Sequence, residues 1–141
     1  MRAAIAVGYD VVLSNRRGAD SLADLVAQLG PHARAATASA AATEADFVIV
    51  AIRPTTVDQV PVEPLAGKVV IAPINYLPER DGYIEAIDNG TTTAPGLLQA
   101  HLPTSRVVRG FNMVDALDVA QDGHPPGDPK RRAPGARWRR Y

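Results

Sequence analysis

The sequence predicts an α/β fold, a doubly wound parallel sheet with helices on both faces, and three observations carry that expectation. Short apolar runs, DVVLS at 10–14, FVIVAI at 47–52 and KVVIAPI at 68–74, are separated by amphipathic stretches. Runs this continuously apolar suit strands buried on both faces, and their alternation with helical periodicity suits parallel strands joined by crossovers. Aromatics make up only 5% of the chain while alanine and valine abound, which favours close helix-on-sheet packing.

Taken in order, Met1 to Val7 reads as the last turns of a helix that stops at Gly8, and Val11 to Leu13 as the first strand. Ser21 to Leu29 is amphipathic, with Leu22, Leu25, Val26 and Leu29 as its apolar stripe, Asp20 or Ser21 as cap and Gly30-Pro31 as stop. A short strand at 34–37 and an alanine-rich helix through Ala45 follow. FVIVAI is the most apolar strand, ended by Arg53-Pro54, with a short helix at 55–60. Lys68 to Ile74 is the next buried strand, residues 77–92 are turn-rich, Pro95 to Leu102 is helical and Arg106 to Phe111 a strand. Val114 to Ala120 is expected to be helical. From His124 proline, glycine and arginine dominate, which predicts disorder. The expected division is therefore a domain over 1–123 and a tail over 124–141.

A formal net charge of zero hides an asymmetry, because residues 1–123 carry a net −5 and residues 124–141 a net +5. The absence of cysteine excludes disulfides and thiolate metal sites. His32, His101 and His124 have no companion carboxylates at ligand spacing, so no metal is expected. The apolar runs are too short to span a bilayer and no signal peptide opens the chain, so a cytoplasmic protein without membrane contact is the default. The tail surrounds Trp138 and Tyr141 with Lys130, Arg131, Arg132, Arg137, Arg139 and Arg140. Such residues can stack on bases, but short basic tails are usually solvated, and nucleic-acid binding is not favoured. A homo-oligomer stays open.

In parallel α/β sheets ligands sit outside the carboxyl ends of the strands. Three strand ends here carry suitable residues: Ser14-Asn15-Arg16-Arg17, Ile52-Arg53-Pro54 and Asn75-Tyr76, and Asn112 stands similarly after the last strand. At the end of the second strand of a dinucleotide fold, an acid holds the free 2′-hydroxyl of NAD, whereas arginine accommodates the 2′-phosphate of NADP. Two arginines and no acid at 14–17 read as an NADP-selecting loop or as a solvated basic turn. The apolar residue and the proline that close FVIVAI-Arg-Pro, Ile52 and Pro54, would let backbone approach an adenosine or ribose closely. Asn75 could bond a carboxamide or a ribose hydroxyl.

Residues 6–18 (AVGYDVVLSNRRG), 21–35 (SLADLVAQLGPHARA), 63–82 (EPLAGKVVIAPINYLPERDG) and 105–112 (SRVVRGFN) together resemble the NADP oxidoreductases dependent on the deazaflavin coenzyme F420. The resemblance runs in the family's order over roughly residues 1–133. It implies a Rossmann domain in which Ser14, Asn15, Arg16 and Arg17 hold the 2′-phosphate of NADP(H), while Ile52, Arg53, Pro54 and Asn75 line the cofactor groove. It further implies hydride transfer between NADP(H) and a deazaflavin or similar acceptor, which needs orientation rather than an acid or base, so no catalytic residue is named. A non-enzymatic NADP-binding or interaction module, or an inactive remnant of such an enzyme, is the alternative.

The family opens with a strand and a G-x-G-x-x-G turn ahead of the helix that ends at Gly8, and no such motif occurs in this chain. The expectation is therefore a partial domain without the first strand and the phosphate-binding loop, leaving two strand edges unpaired and NADP weakly bound. After HPPGDPKRRAP, the closing GARWRRY departs from the family pattern. A chain truncated at both ends is expected, with its tail from about Pro134 read out of frame.

Overall fold

The computed structural model describes residues 1–113, which fall into two compact units, Met1–Asp46 and a second that begins at Phe47. The expected helix at 114–120 and the tail from 124 lie outside the described residues.

The first unit holds α1 (Arg2–Ala6), β1 (Val11–Leu13), α2 (Ala23–Leu29), β2 (Ala33–Ala35) and α3 (Ala38–Glu44). β1 and β2 pair in parallel, Val11 opposite Ala33 and Leu13 opposite Ala35, with α2 as the crossover. Its buried apolar residues are Leu22, Ala33, Ala41 and Ala42. The small side chains of the three alanines let α3 lie close to the strands. Thr37 caps α3 by accepting the Ala40 N–H at 3.2 Å. Two side-chain contacts tie the segments together, an ion pair of Arg34 with Glu44 and a hydrogen bond between His32 Nδ1 and Asp10 Oδ1 at 2.8 Å. The amphipathic stretch at 21–29 differs from expectation at its start. It enters through a 3₁₀ turn, Ala19–Leu22, and neither Asp20 nor Ser21 caps it. The Ser21 hydroxyl is engaged in the preceding loop instead.

The second unit contains β3 (Phe47–Ile49), β4 (Val69–Ala72) and β5 (Arg106–Arg109), all parallel, in the order β3-β4-β5. Two 3₁₀ turns, Pro54–Gln59 and Glu63–Leu65, connect β3 to β4. The first replaces the helix expected at 55–60 and is kinked at Thr56. Between β4 and β5 run two single-turn helices, α4 (Pro78–Asp81) and α5 (Glu85–Asp88), then α6 (Ala94–His101). Thr93 caps α6 by accepting the Gly96 N–H at 3.1 Å. A Cβ at Gly96 would stand 2.4 Å from Thr92 Oγ1, so glycine is what lets the two threonines crowd this first turn. At the other end Gln99 spends both ends of its amide. Its Nε2 donates to the carbonyls of Leu102 (2.9 Å) and Ser105 (3.2 Å), and its Oε1 accepts the Val107 N–H at 3.1 Å.

The core of this unit gathers Val50, Leu65, Val70, Ala72, Ile74, Ala94, Leu98 and Leu102. The register sets Val48, Val70 and Val107 on one face of the sheet and Phe47, Val69 and Arg106 on the other. Val70 and Ala72 are 0% exposed, whereas Phe47 and Ile49 are 41% and 55% exposed. This corrects the expectation that FVIVAI is buried on both faces. The core packs the Val70 face, and on the other face Phe47 and Ile49 are exposed while Val69, Ile71 and Val108 are half-buried. The strand is also shorter than its apolar run, with a last sheet bond from Val50 N–H to the Ile71 carbonyl at 2.9 Å. The strands among the described residues all pair in parallel, as expected, and no sheet bond joins β1 or β2 to β3, β4 or β5. No helix among the described residues is long and apolar enough to cross a membrane.

Candidate functional site

Ser14 to Arg17 leave the carboxyl end of β1 as a tight loop held by its own polar groups. Asn15 Oδ1 accepts the Arg17 N–H at 2.9 Å, the turn that an Asx side chain makes with the backbone two residues on. Its Nδ2 donates to Ser21 Oγ at 2.9 Å, and the Ser21 hydroxyl reaches the Gly18 carbonyl at 2.8 Å. Gly18 adopts φ 91°, which a side chain would strain, and this turns the chain into the 3₁₀ entry of α2. Asn15 thus frames the loop. Ser14, Arg16 and Arg17 are exposed, and among the described residues no carboxylate pairs with either guanidinium.

In the second unit the remaining predicted residues cluster at the carboxyl ends of β3 and β4. Ile52 is half-buried and Pro54 buried at the start of its 3₁₀ turn. The Arg53 carbonyl accepts from the N–H and Oγ1 of Thr56 at 3.1 and 3.0 Å, and its Nε lies 3.9 Å from Asp81 Oδ1. Asp81 is the hub. Its side chain is shielded from solvent, Arg80 grips it from Nε (2.7 Å) and Nη2 (2.6 Å), and the Leu77 N–H donates to Oδ2 at 3.1 Å. These contacts, the Arg80 bonds foremost, hold the Asp81 carboxyl down at about 2, with the Arg53 charge adding to them. Arg80 Nη2 also donates to the Asn75 carbonyl at 2.8 Å, so Arg53 and Asn75 belong to one network. Nearby, Tyr76 Oη lies 2.6 Å from Asp88 Oδ2, and partial burial and that carboxylate both raise its pKa.

The end of β5 joins the same group. Asn75 Nδ2 donates to the Asn112 carbonyl at 3.0 Å, and Asn112 Nδ2 donates to the Ile74 carbonyl at 2.7 Å. Arg80 and Asp81 were not among the predicted site residues, and Asn112 was noted only as standing similarly after the last strand. The signal for the first two was an adjacent Arg-Asp pair soon after a strand end, inside a stretch read only as turns. None of the eight predicted residues lines the depression of about 510 Å³ bounded by Arg2, Ile5, Ala6, Gln28 and Leu29.

The architecture is α/β and Rossmann-like. A solved structure from Arthrobacter sp. FB24, assigned as an F420-dependent NADP-reductase, superposes with a TM-score of 0.73 at 21% identity over 89% of this chain and 61% of that one. A second, hypothetical protein SMa0349 from Sinorhizobium meliloti, gives a TM-score of 0.68 at 24% identity over 87% of this chain and 60% of that one. At these identities the likeness shows the fold, and the chain spans about three fifths of the length of either protein. No curated protein sequence matches the chain at a significant level. The sequence model for NADP oxidoreductase, coenzyme F420-dependent, matches residues 1–76, more than half of the 141. The chain therefore belongs to the coenzyme F420-dependent NADP oxidoreductase family.

Proposed function

We propose that the chain binds NADP(H), with Arg16 and Arg17 taking the 2′-phosphate, and serves an oxidoreductase that moves hydride between NADP(H) and a deazaflavin coenzyme. The observation that carries this reading is the guanidinium pair at the carboxyl end of β1, which no carboxylate among the described residues neutralises, on a loop whose shape Asn15 and Ser21 fix in advance. Guanidiniums suit a phosphate dianion through charge-assisted, paired N–H donors. The donor set thus fits the cofactor, and Ser14 adds a hydroxyl beside it. The cofactor would supply the hydride chemistry. The protein's part is to bind and orient, and the Arg53–Asp81–Arg80–Asn75 network offers a rigid polar frame for that in the second unit. Titrating NADPH and NADH separately into the full chain tests the reading. Tighter binding of NADPH is expected, and equal affinities would overturn it.

A second reading is an NADP-binding module without hydride chemistry, because the strand-end residues would bind and orient a nucleotide without themselves supplying hydride. The two separate on one measurement. Loss of the visible absorbance of oxidised deazaflavin in the presence of NADPH supports the enzyme. NADPH binding with no such loss supports the module.

A further inference from the structure

Ser21 stands six residues after Asn15, beyond the loop that ends β1, yet it engages both ends of the Asn15 amide. Its Oγ accepts from Asn15 Nδ2 at 2.9 Å and lies 3.1 Å from Asn15 Oδ1, and its hydroxyl reaches the Gly18 carbonyl at 2.8 Å. Asn15 Oδ1 also accepts the Arg17 N–H at 2.9 Å. Polarity is thereby sorted. The half-buried Asn15 amide is spent inside the loop. So are the Asn15 carbonyl, which takes the Gly18 N–H at 3.4 Å, and the Gly18 carbonyl, which takes the Ser21 N–H at 3.2 Å. The Ser14 hydroxyl and the Arg16 N–H have no hydrogen-bond partner among the described residues, and neither guanidinium has a carboxylate there. The side chains left unspent are a hydroxyl and two guanidiniums, all able to donate to an anion, and the Arg16 N–H adds to them.

We propose that Ser21 is a positioning residue that sets the loop's preference for a 2′-phosphate over a free 2′-hydroxyl, acting through the Asn15 amide. This rests on the NADP reading above, and every residue it invokes belongs to the first unit. A 2′-hydroxyl is held by an acceptor, whereas a 2′-phosphate is held by donors alone. Asn15 Oδ1 is the one amide oxygen on the loop. By keeping it on the Arg17 N–H, Ser21 withholds it from a ribose hydroxyl and fixes the backbone that carries the arginines. Without the Ser21 hydroxyl, Asn15 Nδ2 loses its acceptor, the amide is free to turn outward, and the donors lose the frame that orders them before a ligand arrives.

Calorimetric titration of the full chain with adenosine 2′,5′-bisphosphate and adenosine 5′-monophosphate tests this, because the two differ only in the 2′-phosphate and the ratio of their affinities is the readout. Ser21→Ala should lower that ratio about fivefold, as the loss of one hydrogen bond implies. Ser21→Thr, which keeps the hydroxyl, should restore it. Asn15→Ala removes the other half of the pair and should lower the ratio equally, so either variant alone decides. Adding Ser21→Ala to Asn15→Ala should lower it no further, since the two residues act as one. A Ser21 that merely supports the fold would weaken both nucleotides alike, and a ratio unchanged in Ser21→Ala or in Asn15→Ala overturns the proposal. A further fall in the double variant also overturns it, because Ser21 would then not act through Asn15. Equal affinities for the two nucleotides in the unaltered chain overturn the NADP reading instead, and the role of Ser21 with it.

Discussion

Arg16 and Arg17 are exposed beside a loop built to hold its shape, so their charge is available to a ligand rather than spent on the fold. Arg16→Glu or Arg17→Glu should therefore weaken NADPH binding by about 1.5–3 kcal/mol, with added repulsion from the new carboxylate. NADH, which has no 2′-phosphate, should bind nearly as before. Calorimetric titration of both nucleotides checks this, and equal losses would refute the loop's role. Asp81 makes a different prediction. Its carboxyl is held at about 2 against an ordinary 3.8, so the folded chain binds a proton there less readily than the unfolded one. The stabilisation is complete above about 3.8 and fades as pH falls through that window toward 2. Thermal unfolding followed across this range should show Asp81→Asn less stable than the parent at neutral pH and converging with it in acid. The loop arginines were legible in the sequence, because charge type and position after a strand suffice to propose them. Asp81 was not, since its burial depends on how Arg80 folds over it.

At the scale of elements, α6 depends on its first turn. Thr93 satisfies the Gly96 N–H, and Thr93→Ala should destabilise the second unit by ~0.5–2 kcal/mol, read as a shift in the urea midpoint at unchanged slope. That helix was visible in the sequence through its threonines, proline and leucines. The helix at 21–29 was equally visible in its apolar stripe but not in its cap, because Ser21 had a competing partner in Asn15 six residues earlier. β3 marks a further limit. A continuous apolar run favours a strand energetically and favours cover for its flanks, but does not say which flank receives it. Phe47 and Ile49 show the result, with the same hydropathy as their neighbours and a solvent-facing register.

Across the molecule, each unit has its own buried residues, and they are unequal. Leu22 and three alanines fill the first, whereas Leu65, Val70, Ile74, Leu98 and Leu102 fill the second. Leu98→Ala removes a side chain that is 0% exposed and should cost ~2–5 kcal/mol. Hydrogen exchange should then accelerate at the amides of β4 and β5 far more than at those of β1 and β2, and uniform acceleration would contradict separate cores. Parallel pairing throughout could be foreseen from the order of runs. Hydropathy alone records that a strand is covered and not which strand lies beside it, so the neighbours β3-β4-β5 had to come from the fold.

The Gln99 side chain has a consequence for how this protein can change in length. One amide spans the exit of α6 and the entry of β5, bonding the carbonyls of residues 102 and 105 and the N–H of residue 107. An amide has a fixed reach, so the connection through Pro103 and Thr104 has a fixed length, and one inserted residue would break these bonds together. The turn at Gly82 and Tyr83 is measured likewise, since Tyr76 Oη lies 3.0 Å from the Gly82 carbonyl and accepts the Ile84 N–H at 3.3 Å. Insertions and deletions should be excluded between 102 and 106, so that α6 and β5 keep one invariant span.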